Sequence, residues 1–198
     1  GDLPLNYFTF RGYLGMSSTN RSDARLQHIS DYYITPIDKI LEFLTEFNKH
    51  ESIFSDNIKV LDPCSGGDDK NGMSYPIALN HINPKLHITT NDIRDDSKAS
   101  TKSDYLDLDC KDKFNVIITN PPFNISKDII NKALDDVIDG GFVIRLLRVN
   151  YFGGKVRQDL WERHMPKYCF VHNKRISFTD NGKTDSIEYC HMVWQKGY

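Results

Sequence analysis

The sequence predicts an α/β fold in which a mostly parallel sheet carries helices on both faces. Short apolar segments rich in Ile, Val and Leu alternate along the chain with segments whose apolar residues recur at helical spacing. Strands that alternate with helices in this way pair in parallel. The length of 198 residues suits one domain with a full-sized core. We place that domain at residues 31–198, behind a polar N-terminal arm over residues 1–30.

The first predicted element is a helix over residues 37–44. Its apolar residues fall at the i, i+3, i+4, i+7 spacing of one helix face: Ile37, Ile40, Leu41 and Leu44. Pro36 suits the first turn, where a missing N–H needs no partner, and Thr35 is a candidate cap. The predicted strands cover residues 58–61, 86–92, 114–119, 141–147, 168–171 and 187–194, and two further helices cover residues 125–138 and 158–164.

The composition excludes several classes of protein. Hydrophobic residues make up 39% of the chain and charged residues 26%, as is ordinary for a soluble globular domain. No apolar run approaches the roughly 20 residues that span a membrane. No basic start followed by an apolar stretch marks a signal peptide, so we expect a cytoplasmic protein without a membrane partner. Gly1 stands where Met is expected, which indicates that the arm is partly derived from a tag or from processing.

The cysteines are too widely spaced for a zinc site or a disulfide framework. They are Cys64, Cys110, Cys169 and Cys190, with no Cys-x-x-Cys pair. The spacing predicts reduced thiols and no metal.

The net charge of -2 is unevenly distributed along the chain. Residues 141–198 contain 10 Lys and Arg against 5 Asp and Glu, so they carry +5 and the rest of the chain carries -7. A basic part beside an acidic part favours a polyanionic partner that docks on one side. A solvated surface with random charge drift explains the same numbers.

The motif at residues 120–123 carries the strongest chemical signal. An aromatic amine is a poor nucleophile because its lone pair is delocalised into the ring. Two acceptors, the Asn120 side-chain oxygen and the Pro121 carbonyl, would take both amino hydrogens and localise that lone pair. Pro122 stiffens the loop, and Phe123 offers a face on which a planar base can stack. The alternative is an ordinary turn after a strand, where Asn-Pro and Pro-Pro are common.

Asn-Pro-Pro-Phe directly after a buried strand resembles the catalytic motif of amino-methyltransferases that modify adenine. The resemblance implies a seven-stranded Rossmann-like sheet and S-adenosylmethionine as methyl donor, with S-adenosylhomocysteine as product. It also implies that the target base is flipped out of duplex DNA before its 6-amino group is methylated. From about Arg21 onward the chain resembles small phage-borne DNA adenine methyltransferases with the gamma order of motifs, the type of enzyme found in restriction–modification.

The same resemblance assigns the cofactor-binding residues. The turn over residues 62–67 matches the first cofactor motif, in which glycines let the backbone approach the methionine part closely. Gly67-Asp68-Asp69 displaces the last glycine of that pattern. Before it, residues 32–36 match the motif whose threonine holds the carboxylate or amino group of the cofactor. The assigned residues are Tyr33, Thr35, Asp62, Pro63, Cys64, Gly66 and, from the catalytic motif, Asn120.

Two later acids complete the expected cofactor site. Asp92, at the end of a predicted strand, is placed to accept hydrogen bonds from the ribose hydroxyls, with Ile93 beside it. Asp104 would hold the adenine amino group, with Tyr105 next to it in the same motif. An acid after a strand is also commonly a loop residue or a helix cap.

The basic C-terminal segment supplies the candidates for nucleic-acid contacts: Lys174, Arg175, Lys183 and Phe178. Phe178 would stack on the flipped base or, alternatively, pack in the core. There is no room for a separate recognition domain, so residues 150–155 and 173–185 are where specificity is expected.

The resemblance leaves alternative functions open. The Asn-Pro-Pro-Phe motif also serves enzymes that methylate RNA bases or a protein glutamine, and a non-catalytic, cofactor-binding subunit is a further alternative. The recognition sequence and the oligomeric state are not predicted.

Overall fold

The computed structural model describes residues 6–9, 34–122, 125–149, 155–172 and 188–198. Its strands are β1 (Asn6–Thr9), β2 (Lys59–Asp62), β3 (His87–Asp92), β4 (Thr101–Lys102), β5 (Val116–Thr119), β6 (Phe142–Arg148), β7 (Tyr168–Val171) and β8 (Tyr189–Gln195). Its α-helices are α1 (Ile37–His50), α2 (Ser74–Ile82), α3 (Ser126–Asp136) and α4 (Lys155–Arg163), and a 3-10 turn covers Tyr105–Asp107.

The eight strands form one sheet in the order β1-β7-β8-β6-β5-β2-β3-β4. Strands β2 to β6 pair with one another in parallel. Strand β8 lies between β6 and β7 and is antiparallel to both. The predicted α/β architecture is therefore confirmed. Strands β2 to β8 give the seven strands that the resemblance to methyltransferases implies. Strand β1 adds an eighth at the edge, antiparallel to β7.

The sheet separates two apolar cores. Along β5, Ile117 packs in the cluster that includes α3 and α4. Its neighbours Val116 and Ile118 pack in the other cluster, with α1 and α2. All four residues of β5 are buried, as expected of a central strand covered by helices on both faces.

Helix α1 is longer than the sequence pattern predicts. The prediction ends at residue 44, but Phe47 continues the apolar stripe and is fully buried. The Glu51 N–H then bonds to the Phe47 carbonyl and ends the helix. Burial of this third turn against the sheet outweighs the polar residues around it.

One α-helix and two strands of the described residues were not predicted. Helix α2 has Pro76 in its first turn and a short apolar stripe that buries only Tyr75, Ala78 and Leu79, so periodicity alone does not reveal it. Strand β4 has two residues and is exposed. Strand β1 lies in the segment that we expected to be an arm or loop, and its pairing with β7 gives it strand structure.

The topology brings the carboxyl ends of the parallel strands to one edge of the sheet. Asp62 ends β2, Asp92 ends β3, and Asn120 directly follows β5. Ligands of open α/β sheets bind beyond this edge.

The described residues include no helix that is both long and apolar enough to cross a membrane. Within the same residues, no group of three or more His, Cys, Asp or Glu could hold a metal. All four cysteines are free.

Candidate active-site cleft

A cleft opens beyond the carboxyl ends of β2 and β5. It brings together residues from three distant parts of the chain, which are the segment before α1, the turn after β2 with the start of α2, and the loop after β5. The lining residues are Ile34, Thr35, Cys64, Ser65, Gly66, Gly67, Gly72, Ser74, Tyr75 and Asn120. Four predicted site residues therefore meet in one place: Thr35, Cys64, Gly66 and Asn120.

The floor of the cleft is a glycine turn in left-handed conformation. Gly66 and Gly67 have φ angles of 68° and 82°, which favour glycine strongly. A Cβ on Gly67 would lie 2.9 Å from the Met73 side chain. The Ser65 N–H bonds to the Asn91 carbonyl at 2.8 Å and ties the turn to the end of β3. Gly66 and Gly67 both adopt backbone angles that favour glycine. The departure of residues 67–69 from the usual motif therefore still leaves a glycine turn.

Asp62 is a buried carboxyl with one unused oxygen. Its Oδ1 accepts hydrogen bonds from the Thr119 hydroxyl at 2.6 Å and from the Cys64 N–H at 3.2 Å. Its Oδ2 is buried and has no hydrogen-bond partner among the residues that the structure describes. Burial raises the pKa of Asp62 to about 7, with a smaller contribution from the charge of Asp92. The unused oxygen can therefore accept an N–H from a ligand, and a cationic donor would favour the charged carboxylate.

Asp92 braces the glycine turn. Its Oδ2 accepts the Gly66 N–H at 2.8 Å, and its Oδ1 accepts the Arg94 N–H at 2.9 Å. The Arg94 guanidinium lies 3.5 Å from the same carboxylate and donates to the Gly67 carbonyl at 2.8 Å. Each carboxylate oxygen can accept more than one hydrogen bond, so this bracing is compatible with additional hydroxyl donors.

The two residues of the later acidic motif lie in different environments. Asp104 is half-buried and caps the 3-10 turn by accepting the Leu106 N–H at 3.0 Å. Tyr105 is 2% exposed, packs in the core, and donates its hydroxyl to Asp136 at 2.6 Å. The Tyr105 side chain therefore does not reach the cleft, and only its backbone is left for the expected cofactor contact. Ile93, by contrast, is 38% exposed just after β3.

Asn120 enters the cleft directly from the buried end of β5. Its Nδ2 donates to the Thr35 hydroxyl oxygen at 3.0 Å. With Nδ2 engaged, Oδ1 is left as the acceptor of the amide. Pro121 and Pro122 are buried behind it, and the Pro122 carbonyl accepts the Ile125 N–H where α3 begins. Pro63, the remaining residue of the glycine-turn motif, is also buried, and its carbonyl accepts from Asn91 at 3.0 Å.

Sequence reasoning gave no role to Tyr75 and Ser74, which line the cleft from α2. Tyr75 is 3% exposed, and its hydroxyl lies 2.9 Å from His191 Nε2. The available signal was the resemblance from about Arg21 onward, which covers these two residues but gives them no function. The predicted residues Tyr33, Phe123, Lys174, Arg175, Phe178 and Lys183 lie outside the described residues, as do residues 150–154 and 173–185.

Solved methyltransferases share this arrangement of strands and helices. A candidate RNA methyltransferase from Pyrococcus horikoshii matches with a TM-score of 0.62 at 14% identity, over 91% of this chain and 92% of that chain. A candidate class I S-adenosylmethionine-dependent methyltransferase from Listeria monocytogenes gives 0.58 at 15%, over 83% of this chain and 61% of that chain. The N-methyltransferase NodS from Bradyrhizobium japonicum gives 0.52 at 11%, over 82% and 98%. The chain has the fold of these methyltransferases.

The likeness is one of fold, since the identities are 11–15%. It confirms the Rossmann-like methyltransferase sheet that the motifs implied. The chain spans 61% of the length of the Listeria protein, so that protein is substantially larger. No protein-family model matches the sequence, and no curated protein matches it either.

Proposed function

We propose that the chain transfers a methyl group from S-adenosylmethionine to the 6-amino group of adenine in DNA. The observation that carries this proposal is the hydrogen bond from Asn120 Nδ2 to Thr35. It leaves Oδ1 as the available acceptor of an amide that lines the cleft of a methyltransferase fold. An amide oxygen in this place is what an exocyclic amine needs, because it accepts one of the two amino hydrogens.

The cleft residues fit S-adenosylmethionine. The unused Oδ2 of Asp62 suits the ammonium of the methionine part, and Gly66 and Gly67 line the cleft without side chains that would obstruct a ligand. Asp92 suits the two ribose hydroxyls, while Asp104 and the exposed Ile93 suit the adenine amino group and ring face. Asp62 and Asp92, which bond to cleft-lining residues, also suit a cofactor that carries a sulfonium and no phosphate.

When bound, S-adenosylmethionine supplies a methyl group activated by its positive sulfur. The chain's contribution is to place and polarise the amine. Asn120 Oδ1 and the Pro121 carbonyl accept the two amino hydrogens, which localises the nitrogen lone pair for in-line attack on the methyl carbon. The methylated nitrogen is cationic until it loses a proton to water, so no strong general base is needed before attack. We accordingly assign no histidine as a catalytic base.

DNA is the preferred substrate because of the basic segment and the early Tyr-x-Thr-Pro motif. Residues 141–198 carry +5, which suits a phosphate backbone. The alternatives are an RNA base or a protein glutamine, whose amino groups present the same pair of hydrogens. The similarity in fold to a candidate RNA methyltransferase makes RNA the first of these to test.

The test is transfer of a tritiated methyl group to unmethylated duplex DNA, to ribosomal RNA and to protein extract. We expect labelled 6-methyladenine in DNA. The substitution Asn120→Ala should lower transfer by at least roughly 100-fold, while calorimetry shows S-adenosylmethionine binding within about twofold of the unmodified chain. Label in RNA or protein alone would replace DNA as the substrate. An unmodified chain that binds the cofactor yet transfers to none of the three would support a non-catalytic subunit.

A further inference from the structure

Asp62, the proposed partner of the cofactor's ammonium, is held from the strand that leads to the catalytic amide. Thr119 is the last residue of β5, directly before Asn120, and its hydroxyl donates to Asp62 Oδ1 at 2.6 Å. Asp62 ends the neighbouring parallel strand β2. Thr119 is 1% exposed and Asp62 is 0% exposed, so water does not compete for this hydrogen bond.

Burial alone would favour an apolar residue at position 119. The three residues before it in β5, Val116, Ile117 and Ile118, are apolar and buried. Valine has the shape of threonine without the hydroxyl, and a buried hydroxyl destabilises a protein unless it is hydrogen-bonded. The bond to Asp62 therefore accounts for a hydroxyl at this position.

The bond from Thr119 determines which oxygen of Asp62 is left for a ligand. Oδ1 accepts from Thr119 and, at 3.2 Å, from the Cys64 N–H. Oδ2 has no hydrogen-bond partner among the residues that the structure describes. Two donors on one oxygen fix the rotation of the carboxyl group, so that the other oxygen is the one presented.

The same bond favours the charged form of Asp62. Burial raises the pKa of this carboxyl to about 7, and the hydrogen bonds from Thr119 and from the Cys64 N–H act against that rise. A carboxylate attracts an ammonium much more strongly than a neutral carboxylic acid does. Without the Thr119 hydroxyl, more of Asp62 would be protonated near neutral pH, and the ligand would have to displace that proton on binding.

We propose that Thr119 is a positioning residue for the cofactor, whose hydroxyl holds Asp62 so that Oδ2 receives the ammonium of S-adenosylmethionine. It also keeps the carboxyl ready to ionise when that ammonium arrives. The inference rests on the proposed pairing of Asp62 with the ammonium, and it adds a residue that the sequence motifs leave out. Thr119 is not one of the residues that line the cleft, so its hydroxyl acts on the cofactor through Asp62.

Four other ionisable groups near Asp62 are neutral throughout the pH range of the test. Burial raises the pKa of the Cys64 thiol and that of the Tyr75 hydroxyl far above this range. Burial lowers the pKa of His172 to about 4 and that of His191, which contacts Tyr75, well below its usual value. None of these groups can therefore produce the pH dependence that we expect of Asp62.

The charged groups near Asp62 are the same in every variant. Asp92 and Arg94 form an ion pair at 3.5 Å. Arg145 lies on β6 opposite Thr119 and is fully buried. Their effects cancel when the variants are compared with one another.

The test compares two substitutions of Thr119 that differ in the hydroxyl. Thr119→Val keeps the shape and removes the hydroxyl, whereas Thr119→Ser keeps the hydroxyl. Calorimetry covers pH 5.5 to 7.5, where the amino group of S-adenosylmethionine is mostly cationic. We expect Thr119→Val to raise the Kd roughly 3- to 10-fold, with the larger increase at the lower pH, because each unit by which the pKa of Asp62 rises makes its ionisation tenfold harder. Thr119→Ser should stay within about twofold of the unmodified chain.

The control ligand is 5′-methylthioadenosine, which keeps the adenosine and the sulfur of the cofactor but has no ammonium. Its Kd should agree within about twofold in all three proteins, which also shows that the variants are folded. An equal loss for both ligands would overturn the proposal, because the whole cleft would then be disturbed. A Kd for S-adenosylmethionine that Thr119→Val leaves unchanged, or raises by the same factor at every pH, would do the same. If Thr119→Val does not fold, Thr119→Ala removes the same hydroxyl with less bulk and takes its place.

Proton release gives a second measurement on the unmodified chain. At pH 6 the binding of S-adenosylmethionine should release a proton from Asp62, which calorimetry detects in buffers of different ionisation enthalpy. Asp62→Asn should release none. Binding without proton release in the unmodified chain would overturn the inference, because Asp62 would not then ionise to receive the ammonium.

These binding measurements are independent of methyl transfer. If they come out as expected and no substrate is methylated, the role of Thr119 stands and the proposed function fails alone. If DNA is methylated but Thr119→Val binds S-adenosylmethionine like the unmodified chain, the role of Thr119 fails alone.

Discussion

At the scale of single residues, the site depends on polar groups whose partners come from other strands. Asp62 shows this most clearly, since Thr119 and the Cys64 N–H use one of its oxygens and leave the other buried without a partner among the described residues. A buried acceptor without a donor costs stability. A site that tolerates this cost is prepared for a ligand that supplies the donor.

The raised pKa of Asp62 predicts a dependence of stability on pH. The unfolded carboxyl loses its proton near pH 4, whereas the buried one keeps it up to a pKa of about 7. Between these values the native state binds more protons than the unfolded state, so the contribution of Asp62 to the free energy of unfolding falls as pH rises from 4 to 7. The total fall is as much as about 4 kcal/mol.

Chemical denaturation of the unmodified chain and of Asp62→Asn from pH 4 to 8 measures this contribution as the difference between the two free energies. The neutral buried histidines give the opposite slope, because protonation of their unfolded forms below pH 6.5 destabilises the fold. That slope is common to both proteins and cancels in the difference. A difference that stays flat across this range would show that Asp62 does not carry a raised pKa.

At the scale of secondary-structure elements, strand ends bring the site residues to the cleft and the segments that follow hold them there. The 3-10 turn over Tyr105–Asp107 illustrates how one short motif serves two purposes. Asp104 caps the turn at the carboxyl edge of the sheet, while Tyr105 points into the core and bonds to Asp136 on α3. Of these two adjacent residues, Asp104 is the proposed site residue and Tyr105 is a core residue that contacts α3.

This separation predicts different effects at the two positions. Tyr105→Phe removes the hydrogen bond to Asp136, which also pairs with Lys132 at 2.6 Å. We expect it to lower the free energy of unfolding by about 1–2 kcal/mol and to leave the Kd for S-adenosylmethionine unchanged, since the phenol does not face the cleft. Asp104→Asn keeps a good capping side chain but loses the charge, so it should weaken cofactor binding with little loss of stability.

Denaturation and calorimetry on the two variants give both quantities. Weaker cofactor binding in Tyr105→Phe without a matching change in Asp104→Asn would reverse the two roles.

At the scale of the whole molecule, charge is divided between the two parts of the chain. Residues 141–198 carry +5, and the residues before them, which include Asp62, Asp92 and Asp104, carry -7. Attraction to a phosphate backbone is weakened by salt because bound counterions are released on contact. The electrostatic interactions of S-adenosylmethionine inside the cleft would be screened much less, because they are shielded from the solvent.

We therefore expect KM for DNA to rise steeply between 50 and 200 mM salt, on the order of tenfold or more, while the Kd for S-adenosylmethionine stays within about twofold. The double variant Lys174→Ala/Arg175→Ala should lower the slope of log KM against log salt by about 1 to 2. Steady-state kinetics at a series of salt concentrations measures both. A slope that the double variant leaves unchanged would remove residues 174 and 175 from the DNA interface.

The sequence alone determined the order of elements and the placement of the chemical motifs at strand ends. Both follow from local properties: apolar periodicity distinguishes strand from helix, and glycine and proline mark the turns. Periodicity failed where elements were short or weakly patterned, as with α2 and β1. The resemblance to methyltransferases assigned Tyr105 to the site together with Asp104, because a sequence does not say which of two neighbours faces the core.

Only the tertiary structure decided which distant groups meet. Asn120 and Thr35 are 85 residues apart, and Tyr75 and His191 are 116 apart, yet each pair is in hydrogen-bond contact because the helices pack on the sheet and bring distant segments together. The hydrogen-bond partner of the Asn120 amide is Thr35, a residue that lies outside its own motif. Such a contact is a property of packed neighbours that no local pattern encodes.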